Sequence, residues 1–517
     1  MTHASSPPTV STLALCVGTA ALTAFTFGFH LGEVNQPRDA MSNCTTPVAV
    51  TDDCISMDDW AWHGSTLPSS PRRQCTGMLT EYYRTFSRKK GTFVSIFVLG
   101  GTVGALCGGS LAQSLGRRRL LFLNNVPFII ASALLASSTT VYGLYAGRFI
   151  GGIAAGVGTV GVPLYIAEVA PVGIRGSLGA LNQLSIVIGI LCSQSLGIPL
   201  STRTGWRYLF FAGLLPPLLQ CFLLPFCVES PKWLSANGLV IDARKALQRL
   251  RSSSSTEAEI DQEFDGIANN GATSSNTDDA ESATLSRDPD SLDESAPLSG
   301  AQQHRVTITL RDLFHTASLR RPLFAAFGLQ LAQQLSGVNA AVFYSTTIFN
   351  QSYPPEVSIK LSLLVSFVNL VMTLVSMGLI ERLGRKTLLL VSEMGMMACG
   401  VSIFVSVKAA LAPVFVVLSL LGFVGFFGIG LGAIPWLILP ELVPGYAVNT
   451  AASVCSGLNW GSSWIVAFLL PVLIGWLGYD IFLVFSFFLA GFALFTQRYV
   501  PETKGLTPEE VARINQF

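Results

Sequence analysis

Charge is scarce in this sequence of 517 residues. Only 12% of them are Asp, Glu, Lys or Arg, about half the share that soluble globular proteins carry. The net charge is +1, so no strong field would attract nucleic acid or another polyanion. Half of the residues are hydrophobic and the mean hydropathy is +0.52. This composition excludes disordered and nucleic-acid-binding proteins and predicts a protein that crosses a membrane many times.

Residues for enzymatic chemistry are also few, with five histidines and ten cysteines. They form no pair of metal-binding histidines and no activated nucleophile. We therefore expect no enzyme, no metal and no cofactor. Seven cysteines lie in apolar runs and are expected to pack there. Cys44, Cys54 and Cys75 lie in a hydrophilic segment beside the glycosylation sequon at Asn43, where one disulfide with a spare thiol and an unmodified loop are both open.

Long runs without charge are abundant. A transmembrane helix needs about 20 apolar residues, and eleven runs free of Asp, Glu, Lys and Arg reach or approach this length. A twelfth, 387–407, is interrupted only by Glu393. The eleven runs are 1–32, 91–116, 120–147, 149–167, 176–202, 208–228, 322–355, 361–380, 409–440, 442–479 and 481–497. The first lacks the features of a cleaved signal peptide. We predict an all-α membrane protein with twelve transmembrane helices in two six-helix halves.

Basic residues concentrate in the short loops after the second, fourth and eighth predicted spans, as in Arg117–Arg119 and Arg382–Lys386. The positive-inside rule places these loops and both termini in the cytosol. The segment 38–90 then lies on the opposite side. The predicted organisation is a first half at 1–228, a cytosolic linker at 229–320, a second half at 321–499 and a cytosolic tail at 500–517.

The linker has two kinds of sequence. Its Ser-rich and acidic part, 252–303, is expected to be disordered because it cannot bury a core. Helical apolar spacing at Ile241–Arg251, Glu257–Ile267 and Leu310–Leu319 predicts short amphipathic helices.

The two halves repeat each other. Leu115-Gly-Arg-Arg returns 268 residues later, Glu168-Val-Ala-Pro returns after 273, and Glu229 corresponds to Glu502 at the same offset of 273. Two such halves are expected to be related by an axis along the membrane normal, with the substrate site between them near the midplane.

Seven motifs in order resemble the sugar porter family of the major facilitator superfamily, a fungal-type hexose transporter above all. They are "GRFIGG" around Arg148, "PLYIAEVAPVGIRG" from Pro163, "ESPKWL" from Glu229, "QQLSGVNAAVFYS" from Gln333, "ERLGRK" from Glu381, "IPW" from Ile434 and "VPETKGL" from Val500. The resemblance runs from Thr12 to Glu510, except for the insertion. It implies a monomer in the lipid bilayer that transports a monosaccharide by alternating access, with neither ATP hydrolysis nor covalent chemistry.

Polar stripes at helical spacing are the candidate sugar-binding groups, because sugar hydroxyls need neutral donors and acceptors. The seventh and eleventh predicted spans each carry one at i, i+3, i+4 and i+7, formed by Gln330, Gln333, Gln334 and Gly337 and by Ser456, Asn459, Trp460 and Ser463. For an isolated amide, a purely structural hydrogen bond between helices is the alternative. The resemblance implies binding roles for Gln183, Gln333, Gln334, Asn339, Asn369, Trp436, Asn459 and Trp460. Gly428 and Ser463 replace more polar family residues, which leaves a hexose, a pentose, a ketose or another polyol open.

Energy coupling depends on His30, at the place where the resemblance implies Asp in proton symporters and commonly Asn in facilitators. Histidine titrates between pH 5 and 8, and Arg148 is expected nearby. Proton coupling and simple facilitation both remain open. Glu33 and Glu393 are intramembrane acids with no assigned role, and such residues are usually functional.

Charged residues on the cytosolic side are expected to form a gate between the halves. The first half supplies Arg117, Arg118, Glu168 and Arg175, and the second supplies Glu381, Arg385, Lys386 and Glu441. Val448 stands where the resemblance implies an arginine, so one gate pair is missing. The alternative is that these charges only set topology.

Two further questions stay open. A sugar sensor is the alternative function, since the acidic insertion offers sites for partners or phosphates. The plasma membrane is the preferred location and the vacuolar membrane the alternative.

Overall fold

The structure is a computed structural model that describes residues 12–33, 92–202, 204–251, 257–272, 310–350, 352–506 and 510–511. Within these ranges all regular elements are helices and none is a strand. The sequon at Asn43 and Cys44, Cys54 and Cys75 lie outside them. The predicted all-α membrane fold is confirmed.

The first half contains α1 (Thr12–Gly32), α2 (Thr92–Leu115), α3 (Arg117–Ser137), α4 (Val141–Val169), α5 (Arg175–Leu200), α6 (Gly205–Ala212) and α7 (Leu215–Leu223). The linker contains α8 (Pro231–Ala236), α9 (Val240–Arg251), α10 (Glu257–Ala272) and α11 (Leu310–His315). The second half contains α12 (Ala317–Leu335), α13 (Val338–Asn350), α14 (Pro355–Leu383), α15 (Arg385–Lys408), α16 (Pro413–Ile429), α17 (Ile434–Leu437), α18 (Leu439–Leu442), α19 (Val448–Leu477) and α20 (Ile481–Tyr499).

Eleven helical segments of the described chain are long and apolar enough to cross a membrane. The remaining predicted span, 322–355, is not one helix but the pair α12 and α13. Gly337 separates them with a φ of +85°, a conformation that glycine adopts without the steric cost of a side chain. A Cβ at this position would also collide with the ring of Phe485. A second break, between α16 and α17, leaves Gly430 to Ala433 outside regular helix.

The internal repeat is visible in two matching helix starts. Gly116 and Gly384 precede α3 and α15 with φ values of +86° and +87°. Glu229 accepts hydrogen bonds from the first two backbone amides of α3 at 2.9 and 3.1 Å. Glu502 does the same for α15 at 2.8 and 3.1 Å. A carboxylate at a helix N-terminus satisfies free N–H groups and complements the helix dipole, so the two motifs have the same structural role.

The two halves meet along α2 with α19 and along α5 with α14. On the first line, the Gly109 amide donates to Ser453 Oγ at 2.6 Å, and a Cβ at Gly101 would overlap the ring of Trp460. Small residues let helix backbones approach closely in membranes. On the second line, Ser366 Oγ donates to Gln194 Oε1 at 2.7 Å.

The linker helices α8 and α9 pack against the first half, on the side of the bundle that also carries Arg117 and Arg385, whereas α11 contacts α12 and α19 of the second half. We call the side that carries these two arginines the charged side. Arg251 donates to Glu263 through Nε at 3.0 Å and Nη2 at 2.8 Å, and through Nη1 to the Val169 carbonyl at 2.9 Å. These bonds tie α9 to α10 and to the end of α4. The expectation of disorder over 252–303 is therefore wrong for 257–272, where ion pairs and the buried Ile260 hold α10. The amphipathic helix predicted at Glu257–Ile267 lies within this helix.

Candidate functional site

A cluster of buried amides in the second half joins α12 to α19. Asn459 Nδ2 donates to Gln330 Oε1 and to Gln333 Oε1, both at 2.8 Å. Gln334 Nε2 donates in turn to Asn459 Oδ1 at 3.0 Å. These four amides are at most 9% exposed. The polar stripes predicted on the two helices therefore face each other.

The break at Gly337 adds Asn339 to this amide cluster. Because α13 restarts at Val338 in a new direction, Asn339 Nδ2 reaches Gln334 Oε1 at 2.7 Å and Ser463 Oγ at 3.2 Å. An unbroken helix would separate residues 334 and 339 by five positions and turn them to different faces. Asn339 is half-buried, so it lies at the edge of the cluster.

The break between α16 and α17 supplies backbone carbonyls to the same cluster. Gln333 Nε2 donates to the carbonyls of Leu431 and Gly432 at 2.7 and 3.1 Å. Gln183 of the first half is buried and lies opposite Gly432, since a Cβ at Gly432 would be 3.5 Å from Gln183 Nε2. Gln183 thus faces the same break as Gln333, from across the interface.

Asn369 on α14 has an unused hydrogen-bond acceptor. Its Oδ1 is buried and accepts no hydrogen bond from any described residue. A Cβ at Gly428 would lie 3.0 Å from that oxygen, so the glycine leaves the oxygen uncovered by a side chain. A buried acceptor without a donor costs free energy, and a ligand hydroxyl is one group that would satisfy it.

Aromatic rings border the interface. Trp460 lies on α19 and its ring centroid is 5.2 Å from that of Phe27 and 6.0 Å from that of Phe97. Its Nε1 donates to Thr159 Oγ1 of the first half at 3.1 Å. Trp436, the other predicted tryptophan, lies in α17 and is partly exposed. Trp460 therefore connects the halves directly, a contact that motif matching did not reveal.

A buried charged cluster lies in the first half. His30 Nδ1 is 2.7 Å from Glu33 Oε1, and Arg148 Nη1 is 3.7 Å from the same carboxylate oxygen. Arg148 also donates to the His30 carbonyl at 2.6 Å, and all three residues are at most 2% exposed. The predicted proximity of His30 and Arg148 is observed, and Glu33 joins them. The sequence already marked Glu33 as an unexplained acid but did not indicate its partners.

Neutral groups enclose this cluster. The His30 ring stacks on Phe128 with centroids 5.6 Å apart, and its Nε2 is 3.3 Å from Ser132 Oγ. The Arg148 guanidinium lies 4.3 Å from the Phe97 centroid. Glu33 Oε2 has no hydrogen-bond partner among the described residues. The carboxylate therefore has an unused acceptor next to a titratable ring.

Glu393, the other intramembrane acid, lies apart from both clusters. Its Oε1 accepts from Thr496 Oγ1 of α20 at 2.9 Å, and the residue is fully buried. This contact joins α15 to α20 within the second half.

The predicted gate residues lie together on the charged side, but their ion pairs form within each half. Arg117 pairs with Glu168 at 2.7 Å, and Arg385 pairs with Glu441 at 2.9 Å and with Glu381 at 3.2 Å. In the other predicted gate residues, the Arg118 guanidinium donates to the Cys227 carbonyl, Lys386 Nζ donates to the Gln497 carbonyl, and Arg175 Nε is buried without a partner in the described chain.

Two bonds that cross between the halves on the charged side join a charged group to a neutral one. Arg117 Nη2 donates to Asn449 Oδ1 at 2.9 Å, and the Ser177 amide donates to Glu381 Oε1 at 3.2 Å. Asn449 directly follows Val448, which replaces an expected arginine. Asn449 is not among the residues predicted for the gate, because those were all charged.

Comparisons with known proteins agree with this architecture. Residues 16–514 match the family described as "Sugar (and other) transporter". The chain is 34% identical to facilitated glucose transporter member 4 of Mus musculus, over 97% of this chain and 90% of the relative. It is 34% identical to member 3 of the same organism, over 97% and 92%. Among solved structures it resembles the proton:xylose symporter XylE bound to 6-bromo-6-deoxy-D-glucose, with a TM-score of 0.77, 21% identity and coverage of 98% and 99%.

Proposed function

This chain belongs to the sugar transporter family, and we propose that it carries a monosaccharide across a membrane by alternating access. The observation that carries the proposal is the buried amide cluster of the second half, which lies at the breaks in α12–α13 and α16–α17 and faces Gln183 of the first half. Helix breaks near the midplane are where transporters of this architecture bind their substrates. The relatives named above are described as transporters, which gives the sensor interpretation no support.

The chemistry of the cluster favours a neutral polyhydroxyl substrate. Its donors and acceptors are carboxamides, a serine hydroxyl and backbone carbonyls, and they bond to one another. A hydroxyl both donates and accepts, so sugar hydroxyls can enter this network and leave no amide unpaired. Asn369 and Gln183 then provide further contacts from α14 and from the first half. Trp460 and Trp436 offer faces for the apolar side of the sugar ring.

For the energy source we propose proton coupling through His30 and Glu33. A proton can reside on the His30 ring or on the Glu33 carboxylate. Glu33 is negative beside Arg148 in the first case and neutral in the second, and this difference changes how strongly α1 is held to α4. Around its three members, the cluster contacts the rings of Phe93, Phe97 and Phe128 and the hydroxyl of Ser132. Simple facilitation is the outcome that would contradict this proposal.

We further propose that the charged side and both termini face the cytosol and that the halves separate there to release sugar. The gate would open by breaking Arg117–Asn449 and Ser177–Glu381, while the ion pairs inside each half persist. This fits a gate, because only bonds between the halves must differ between the two states. We place the protein in the plasma membrane as a monomer, with the vacuolar membrane as the alternative.

Uptake into proteoliposomes tests the sugar-binding proposal. Purified protein is given labelled glucose, xylose or fructose, and saturable uptake of at least one is expected. Gln334→Ala should weaken apparent affinity about tenfold, because it removes bonds worth about 1–3 kcal/mol in a buried network. Ser402→Ala is the control, since it removes a side-chain bond to Ser419 inside the second half. Equal affinity in wild type and Gln334→Ala would contradict the proposed site.

A pH gradient tests coupling in the same vesicles. With an acid exterior, the wild type should accumulate sugar above the external concentration. Glu33→Gln should still equilibrate sugar but lose accumulation, because glutamine cannot release a proton. Ser132→Ala is the control for loss of a neutral contact to His30. Uptake that only equilibrates at every pH in the wild type would make the protein a facilitator.

A further inference from the structure

A groove opens on the outer surface of the first half, at the charged side. Its volume is about 350 Å³, and it runs between the start of α3 and the turn that follows α7. Its walls are Leu115, Phe122, Leu123 and the turn Leu224–Pro225, with Arg118 and Arg119 at one end. Phe122 and Leu123 are 43% and 50% exposed. The groove therefore faces the surroundings of the bundle and not the sugar site.

The two arginines at its mouth have no negative partner in the described chain. Arg118 Nη1 donates to the Cys227 carbonyl at 2.9 Å, a neutral acceptor that leaves its other N–H groups available. Arg119 is exposed, and its guanidinium forms no hydrogen bond or ion pair with any described residue. The nearby carboxylate of Glu229 is occupied by the backbone amides of α3 at 2.9 and 3.1 Å. Two positive charges thus remain for an external anion.

The helix geometry orders charge and apolar surface along one face. Arg118 and Phe122 are four residues apart, as are Arg119 and Leu123, so each apolar side chain lies one turn beyond an arginine. An α-helix rises about 5.4 Å per turn. The charge lies at the end of the membrane-crossing helix and the apolar walls lie one turn deeper. A phosphate group and an attached hydrocarbon chain have the same order.

We propose that this groove is a binding site for one anionic phospholipid. Arg118 and Arg119 bind its phosphate, and the walls formed by α3 and the Leu224–Pro225 turn hold an acyl chain. Basic pockets between transmembrane helices are known to suit anionic headgroups. A free phosphate would use only the arginines, whereas the apolar walls add contacts that only a lipid can make.

The second half offers an internal comparison. At the repeat offset of 268, Lys386 corresponds to Arg118 and Thr387 to Arg119. Lys386 Nζ donates to the Gln497 carbonyl at 2.8 Å, and threonine carries no charge. The equivalent surface therefore lacks the pair of positive groups, and the lipid site is a property of the first half. It does not depend on transport or on any sugar.

Lipid binding to the purified full-length protein in detergent tests the proposal. Phosphatidylglycerol and phosphatidylcholine with identical acyl chains are titrated, and bound lipid is counted by native mass spectrometry. The wild type should retain one phosphatidylglycerol more tightly than phosphatidylcholine. Arg119→Gln should weaken this binding about fivefold, which corresponds to the roughly 1 kcal/mol that one basic residue contributes near an anionic lipid. Leu123→Trp, which fills the groove, should weaken both lipids.

Arg382→Gln is the matched control, because Arg382 is exposed on the same side and does not line the groove. It should leave phosphatidylglycerol binding unchanged. Equal weakening by Arg119→Gln and Arg382→Gln would overturn the proposal in favour of general surface charge. Equal retention of the two lipids by the wild type would also overturn it. Displacement of the lipid by millimolar inorganic phosphate, with Leu123→Trp unaffected, would reduce the site to a phosphate site.

Discussion

Replacement of Asn449 by alanine is expected to loosen the charged side. In the structure Asn449 Oδ1 accepts from Arg117 Nη2 at 2.9 Å, across the boundary between the halves. Arg117 is 4% exposed, and a hydrogen bond to a charged group contributes about 1.5–3 kcal/mol. Because Arg117 keeps its ion pair with Glu168, the lower value applies. The equilibrium between the state closed on the charged side and the state open on that side should therefore shift about tenfold toward the open state.

The substitution Asn449→Asp should act in the opposite direction. A carboxylate at this position would pair with Arg117 by charge, and Coulomb attraction in a buried setting exceeds that of a neutral amide. The closed state should gain stability, and turnover should fall because each transport cycle must break the new pair. The two substitutions at one position thus predict effects of opposite sign.

Hydrogen–deuterium exchange measures these changes directly. Backbone amides in 101–117 and 448–461 should exchange faster in Asn449→Ala and slower in Asn449→Asp than in the wild type. Ser402→Ala, which loses a bond inside the second half, should leave both regions unchanged. Exchange in Asn449→Ala equal to that of the wild type in both regions would contradict a closing role for this bond, as would faster exchange in Asn449→Asp than in Asn449→Ala.

Two further predictions concern stability. Gly384→Ala should destabilise the protein by about 1–3 kcal/mol, because the position has a φ of +87° and a Cβ there would meet the carboxylate that caps α15. A thermal-unfolding scan should show a lower midpoint for this variant. Gly378→Ala, whose new Cβ would have no atom within 4 Å, should unfold like the wild type. Arg251→Ala should release α10 and make it sensitive to limited proteolysis, since the buried arginine holds Glu263. Arg244→Ala is the control, because it removes only an exposed ion pair, which contributes little. Similar proteolysis of both variants would contradict the role of Arg251 in holding α10.

The absence of an ion pair from the bonds that join the halves on the charged side, within the described residues, affects how easily this side opens. Alternating access requires that the closed states differ little in free energy, because a strong contact in one state slows the exit from it. A buried arginine bonded to an amide is weaker than a buried ion pair. Between the halves on the charged side, Arg117 donates to Asn449, and Ser177 donates through its amide to Glu381 and through its hydroxyl to the Met377 carbonyl. None of these bonds is an ion pair. We expect this chain to open on the charged side more easily than a relative with an arginine at position 448.

Much of the fold could be predicted because it depends on local composition. A membrane core admits only segments that satisfy their own backbone hydrogen bonds, so each apolar run of sufficient length predicts one helix. Some runs depart from this rule: 322–355 is divided between α12 and α13 at Gly337, and 208–228 and 409–440 are also interrupted. Mean apolarity does not register a break, since the sequence on both sides is equally apolar. The break is marked by the left-handed conformation of Gly337, at a position where a Cβ would collide with the ring of Phe485.

The candidate site was predictable in its residue types but not in its bonds. The spacing of Gln330, Gln333 and Gln334 placed them on one helix face, and the resemblance assigned binding roles to the last two. Nothing in the spacing indicated that Asn459 would accept from Gln334 and donate to the other two glutamines. Likewise, Glu33 was marked only as an unexplained acid. Its contact with Arg148 depends on how α1 packs against α4.

The sequence by itself determined the number of apolar segments, the division into two repeated halves and the residue types available for binding. These follow from the length of a helix that crosses a bilayer and from repeated motifs, both of which are local along the chain. Only the tertiary structure decided which of Arg117's partners lies in its own half and which lies across the interface. Such contacts join residues more than 300 positions apart, as in Arg117–Asn449. The packing of the two halves sets their distance, and no local pattern encodes it.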